Sequence, residues 1–135
     1  MAANECIPLH RGGQPDLTGH TTAPVTGGRF VATSGDLQSP PTTLDTTGSG
    51  GNYRVAHAAA GAAVFGVAAH DAGTGKKVAI LREGNVVPMV ADGAITAGQG
   101  IEVGTAGKPK TLASGIRVGT AKSTAADGAI VYVEL

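Results

Sequence analysis

Residues 65–81 read FGVAAHDAGTGKKVAIL, and two structures compete for them. The central GTGKK is either a glycine loop whose lysine holds phosphate or a tight turn joining two strands. A phosphate loop requires a glycine, four residues, then Gly-Lys-Ser/Thr, so that backbone N–H groups wrap the phosphates and a hydroxyl reaches the metal. With Gly75-Lys76 as the Gly-Lys pair, the leading glycine falls at His70 and the hydroxyl at Lys77. Both requirements fail. Val78-Ala79-Ile80-Leu81 is β-rich and too short to be a phosphate-capping helix. The stretch reads as strand, loop, strand.

The same pattern occurs again downstream. Gly66-Val67-Ala68, six residues, Gly75, two residues and Val78-Ala79-Ile80 recur as Gly119-Thr120-Ala121, six residues, Gly128, two residues and Val131-Tyr132-Val133. The offset is constant at 53 (119 − 66 and 128 − 75). A glycine near the loop end suits a backbone that needs a positive φ there. Two copies are too few for a solenoid, so the expectation is two related hairpins in one β-domain, residues 51–135. Within it, strands are predicted at Tyr53–His57, Val64–Ala69, Lys76–Arg82, Val86–Met89, Gly100–Val103, Ile116–Ala121 and Ala129–Leu135. Breakers separate them at the spacing typical of sandwiches and barrels. Val131, Val133 and Leu135 share one face of the last strand, and the repeat gives Val78 and Ile80 the same inward role. Gly61 and the lack of large apolar residues argue against a helix at 57–63. The class is all-β.

Residues 1 to about 50 differ. Between 32 and 51 the only non-proline apolar residues outside glycine are Ala32, Leu37 and Leu44, and Pro40-Pro41 interrupts regular structure. This part is expected to be an extended, irregular N-terminal arm with one short strand near 28–32. Ile7, Pro8, Leu9 and Phe30 are its spaced anchors and the candidate contacts with a partner.

Composition narrows the function. Formal net charge is zero, from 10 basic and 10 acidic side chains, which removes the electrostatic footprint of a nucleic-acid binder. Lys76, Lys77 and Arg82 form a small basic cluster that reads as a solvated strand end. Leu, Ile, Val and Phe together make 28 of 135 residues, and there is no Trp. A core this thin is marginal for a lone monomer and favours association. The single cysteine, Cys6, excludes an internal disulfide and has no zinc-ligand spacing around it. No apolar run approaches the ~20 residues of a membrane span, and MAANECIPLH lacks the pattern of a signal peptide.

No catalytic constellation stands out. His10, His20, His57 and His70 lack paired metal-ligand spacing. No serine sits in a Gly-x-Ser-x-Gly elbow. Asp71 reads as a turn-former accepting backbone hydrogen bonds, and Asp92-Gly93 and Asp127-Gly128 as turn dipeptides. Neither an enzyme nor a cofactor is expected.

The segments FGVAAHDAGTGKKVAIL at 65–81, NVVPMVADGAITAGQGIEVGTAGKPKTL at 85–112 and GIRVGTAKSTAADGAIVYVEL at 115–135 resemble the capsid cement, or decoration, proteins of tailed phages. CIPLHRGGQPDLTG at 6–19, VTGGRFVATSG at 25–35 and GGNYRVAHAAAGA at 50–62 extend the resemblance over nearly the whole chain, as a longer-armed branch. The resemblance implies a small β-barrel or tulip-like domain. It implies a homotrimer on the outer capsid surface of the virion, made in the host cytoplasm and bound to the major capsid protein, with no nucleic-acid or membrane partner. It carries over no catalytic residue. The rival is a virion-surface binding module for host attachment or carbohydrate. Such sites usually present aromatic platforms, and two Phe and two Tyr offer little for one.

Overall fold

The computed structural model describes residues 4–39 and 52–135. Ten short strands carry the fold: β1 Leu17–Thr21, β2 Phe30–Thr33, β3 Tyr53–His57, β4 Gly66–Ala68, β5 Lys77–Leu81, β6 Val86–Val90, β7 Gly100–Val103, β8 Pro109–Thr111, β9 Gly119–Ala121 and β10 Ile130–Glu134. The first five close a barrel in the order β1-β3-β2-β4-β5, and the last five form a sheet in the order β6-β10-β9-β7-β8. The all-β expectation holds.

The two halves are one five-strand unit built twice. β4 and β5 pair Val67 with Leu81 and Ala68 with Ile80; β9 and β10 pair Thr120 with Glu134 and Ala121 with Val133. Each of these partners is shifted by the 53 residues seen in the sequence (120 − 67). The duplication then runs past the hairpins. Phe30 opposite Val67 becomes Gly100 opposite Thr120, and Leu17 opposite Ile80 becomes Val87 opposite Val133. Val31 opposite His57 becomes Ile101 opposite Thr111. Even the loop closures repeat: Val25 bridges Ala72 as Ile95 bridges Ala125. Gly75 and Gly128 hold φ of 73° and 78° at the equivalent turn, a conformation that L side chains resist.

This duplication corrects the expected division of the chain. β1 and β2 are strands of the first barrel, so residues 17–33 belong to the β-domain and not to an arm reaching to 50. β1 escaped detection because LTGHT has one large apolar residue. Its buried positions are Thr21 and Gly19, and at Gly19 a Cβ would lie 2.7 Å from Ile80 Cδ1 and 2.8 Å from Val55 Cγ2. The barrel interior is filled from the other strands, so the position must be empty. The short strand expected near 28–32 is β2. Residues 1–3 and 40–50 of the expected arm lie outside the described residues.

The units close differently. β1 pairs in parallel with β3, from Gly19 opposite Tyr53 to Thr21 opposite Val55. In the second unit Pro109 takes the place of Val55 and has no N–H to offer a parallel neighbour. One bond remains, from the Asp92 N–H to the Pro109 carbonyl at 2.8 Å, the counterpart of Thr22 to Val55 at 3.0 Å. The backbone of Gly28–Phe30 from the first unit enters at this opening. A Cβ on Gly28 would lie 3.4 Å from the Pro88 carbonyl oxygen, and one on Gly107 would lie 2.6 Å from that of Phe30. Phe30 accordingly joins Val87, Met89, Ile101 and Val103 in a core shared by both units, while Val25, Val31, Val55, Val78 and Ile80 fill the first barrel.

Candidate binding surface

The N-terminal segment forms a strap over the seam between the units. The Cys6 N–H donates to the Ala69 carbonyl at 2.7 Å, the Leu9 N–H to Val86 at 2.8 Å, and the Gln14 N–H to Glu83 at 2.8 Å. Asn4 Nδ2 donates to Asp71 Oδ2 at 3.0 Å. An extended backbone tied this way alternates its side chains. Cys6 and Pro8 turn inward and are buried; Ile7 and Leu9 turn outward with 63% and 68% of their surface exposed. Cys6 Sγ donates to the Pro88 carbonyl at 3.3 Å, and burial pushes its thiol up to about 12.

Of the four expected contact residues, the structure therefore brings Ile7 and Leu9 together on the surface. Pro8 backs them from within the strap. Phe30 is a correction: it is 0% exposed in the shared core, because the incomplete closure of the second unit requires a large side chain from the first. No partner touches it without opening the fold.

Other exposed apolar residues were not anticipated. Val90 and Ile130 lie directly opposite one another on β6 and β10, 38% and 51% exposed. Ile116 is exposed on the loop after β8. Glu102, buried on β7, holds that loop by accepting the N–H groups of Ala113 at 3.0 Å and Gly115 at 2.6 Å. Those bonds keep its carboxyl below the usual range, with Lys110 3.8 Å away assisting. The 53-residue offset held the signal for Ile130, since it stands where the first unit has Lys77.

Polar side chains here do local structural work. Asp71 accepts the Gly27 N–H at 2.9 Å, which with the Asn4 contact holds its carboxyl below the usual range. In the second unit Thr124 Oγ1 takes the same part, accepting the Ala97 N–H at 3.1 Å. His57 Nε2 accepts the Thr26 N–H at 2.9 Å; burial, aided by the nearby Arg29 charge, lowers its pKa. The GTGKK stretch is the β4–β5 hairpin loop and leads into a strand. A cleft of about 430 Å3 lies between the units, and two of its three charged side chains are already engaged: Arg117 Nη2 donates to Thr120 Oγ1 at 2.6 Å, and Glu134 pairs with Lys122 at 3.4 Å. Among the described residues no cluster of three or more His, Cys, Asp or Glu side chains has metal-binding geometry. Among the described residues no helix is long and apolar enough to cross a membrane.

Solved structures share this architecture. The N base of the head fiber gp8.5 of bacteriophage phi29 superposes with a TM-score of 0.66 at 20% identity, covering 88% of this chain and 91% of that one. That likeness is one of fold. None of the curated proteins matches the chain. A family model described as phage cement protein matches residues 9–135. The chain belongs to the phage cement protein family. It is a capsid-associated structural protein of the phage particle. The matched span includes both five-strand units and the strap from Leu9 onward.

Proposed function

We propose that the chain decorates the outer surface of the phage head, binding the major capsid protein and stabilising its lattice, and that it does so as a homotrimer. The observation that carries this reading is the strap. Ile7 and Leu9 project from a backbone that the chain's own β-domain already fixes. Large apolar side chains held outward on a preformed strand lose little entropy on docking and gain the full value of their burial. The family membership supports a capsid partner for them.

The test is occupancy on heads stripped of the protein. Ile7→Asp with Leu9→Asp changes two exposed side chains and leaves every strap hydrogen bond in place. Each buried leucine-sized side chain is worth about 1.5–3 kcal/mol, so occupancy at matched concentration falls by more than an order of magnitude while the melting curve is unchanged. Wild-type occupancy by the double variant would sink the contact assignment. Sedimentation of the protein, free and released from heads, gives the stoichiometry; monomers in both states would refute the trimer.

A further inference from the structure

His20 of β1 lies opposite Lys77 of β5 on one side and opposite Arg54 of β3 on the other. Directly opposed residues put their side chains on the same face of a sheet. That face is the outer one: Thr21, Val55 and Val78, the chain neighbours of the three, are buried, whereas Arg54 and Lys77 are exposed. Three basic side chains thus form a row across three adjacent strands. At a strand spacing of about 4.8 Å the row is roughly 10 Å long.

The row is held in place and, among the described residues, has no ion-pair partner. His20 Nδ1 lies 3.2 Å from Gln38 Oε1. The stem of Arg54 packs over Gly35, where a Cβ would lie 3.3 Å from Arg54 Cδ. Among the described residues the ion pairs are Arg11–Asp16, Lys110–Glu102 and Lys122–Glu134, none of which involves the row. Arg54 and Lys77 set two positive charges on the strands flanking His20, and like charges gain nothing from each other on folding. The fold does not require all three, as the second unit demonstrates. Its equivalents of Lys77 and His20 are Ile130 and Val90, and that of Arg54 is Lys108 (offset 110 − 56). One position in a duplicated unit carries a basic row in the first copy and an exposed apolar pair in the second.

We propose that the Lys77–His20–Arg54 row docks a carboxylate-rich protein surface, the acidic part of the capsid face that the chain decorates. This inference rests on the reading of the chain as a decoration protein. A guanidinium fork at one end of the row and an ammonium at the other, about 10 Å apart, match carboxylates spread over a protein surface. A nucleic acid fits less well, since the chain has zero formal net charge. Bound single strands also call for aromatic stacking, and Tyr53, next to Arg54, turns instead against Phe65 with ring centroids 5.0 Å apart.

The experiment compares wild type with Arg54→Gln/Lys77→Gln and with the charge-preserving Arg54→Lys/Lys77→Arg. The probes are stripped heads, polyglutamate and a double-stranded oligonucleotide, at low and raised ionic strength. The neutral variant is expected to bind heads about tenfold more weakly and with a flatter salt dependence, and the charge-preserving variant to bind like wild type. Polyglutamate binds wild type but not the neutral variant, and the oligonucleotide does not displace it. Equal affinity and salt dependence in wild type and the neutral variant would overturn the proposal, as would displacement by the oligonucleotide. Failure of wild type to bind heads would sink the decoration reading instead. Polyglutamate then decides the row alone: a loss in the neutral variant upholds a carboxylate site, and no loss overturns it. Matching melting curves exclude misfolding as the cause.

Discussion

Phe30 is the largest side chain with no exposed surface, and it packs in the core that both units share. Phe30→Ala empties the centre of the shared core and is expected to cost about 3–5 kcal/mol. Because the core contains residues of both units, urea unfolding should remain a single transition with a lower midpoint; separate transitions for the two halves would contradict the shared core. At His57 the sign of the pH effect follows from the bond that it accepts. The fold favours the neutral ring and depresses the pKa from its ordinary 6.5. Its stabilising contribution is complete above 6.5 and is lost as pH falls through the folded-state value. The melting temperature should therefore begin to drop just below pH 6.5, ahead of the losses from Asp71 and Glu102, whose ordinary values are 3.8 and 4.5. His57→Thr, which installs the residue that the second unit has at this place, removes the earlier phase and leaves the acidic one.

The hairpins make their predictions in pairs, because each exists twice. Gly75 and Gly128 hold equivalent positive φ, and a Cβ at either would meet nothing within 4 Å. The cost of Gly75→Ala and of Gly128→Ala is then conformational alone, about 1 kcal/mol each, and nearly equal when read from denaturant midpoints. A strongly unequal pair would mean that the turns differ. Lys76→Ala in the same loop should leave ATP and GTP titrations as flat as those of wild type, since the loop has neither the spacing nor the helix of a phosphate site. Val90→His with Ile130→Lys transplants the first unit's outer pair onto the second. The first barrel carries these residues at the same register, so the change in stability should stay within about 0.5 kcal/mol. A large loss would show that the exposed pair supports the fold.

For the whole molecule, the strap and the first barrel respond differently to truncation. Removing residues 1–10 deletes the bonds to Ala69 and Val86 but spares every strand. The shortened chain should keep its circular dichroism spectrum, melt earlier and lose occupancy on heads. Removing residues 1–27 deletes β1, which pairs with both β3 and β5. The first barrel then cannot close, and its β signal should collapse. An unchanged spectrum after the longer truncation would refute the placement of β1.

Periodicity and spacing by themselves determined the all-β class, the hairpin identity of GTGKK, most of the strands and the 53-residue repeat, because these depend on residues close in the chain. They also singled out Ile7 and Leu9, which the strap leaves exposed. Tertiary structure alone decided the rest. β1 has Gly19 at a buried position and β8 is three residues opened by Pro109, so neither has an apolar pattern of its own; their partners define them. Phe30 read as an anchor because nothing local reveals that the second unit leaves an opening which only the first can fill. Lys77 read as a solvated strand end because its companions, His20 and Arg54, lie 57 and 23 residues away (77 − 20 and 77 − 54). Strand pairing joins them into one row, and pairing is set by which residues fill the two interiors.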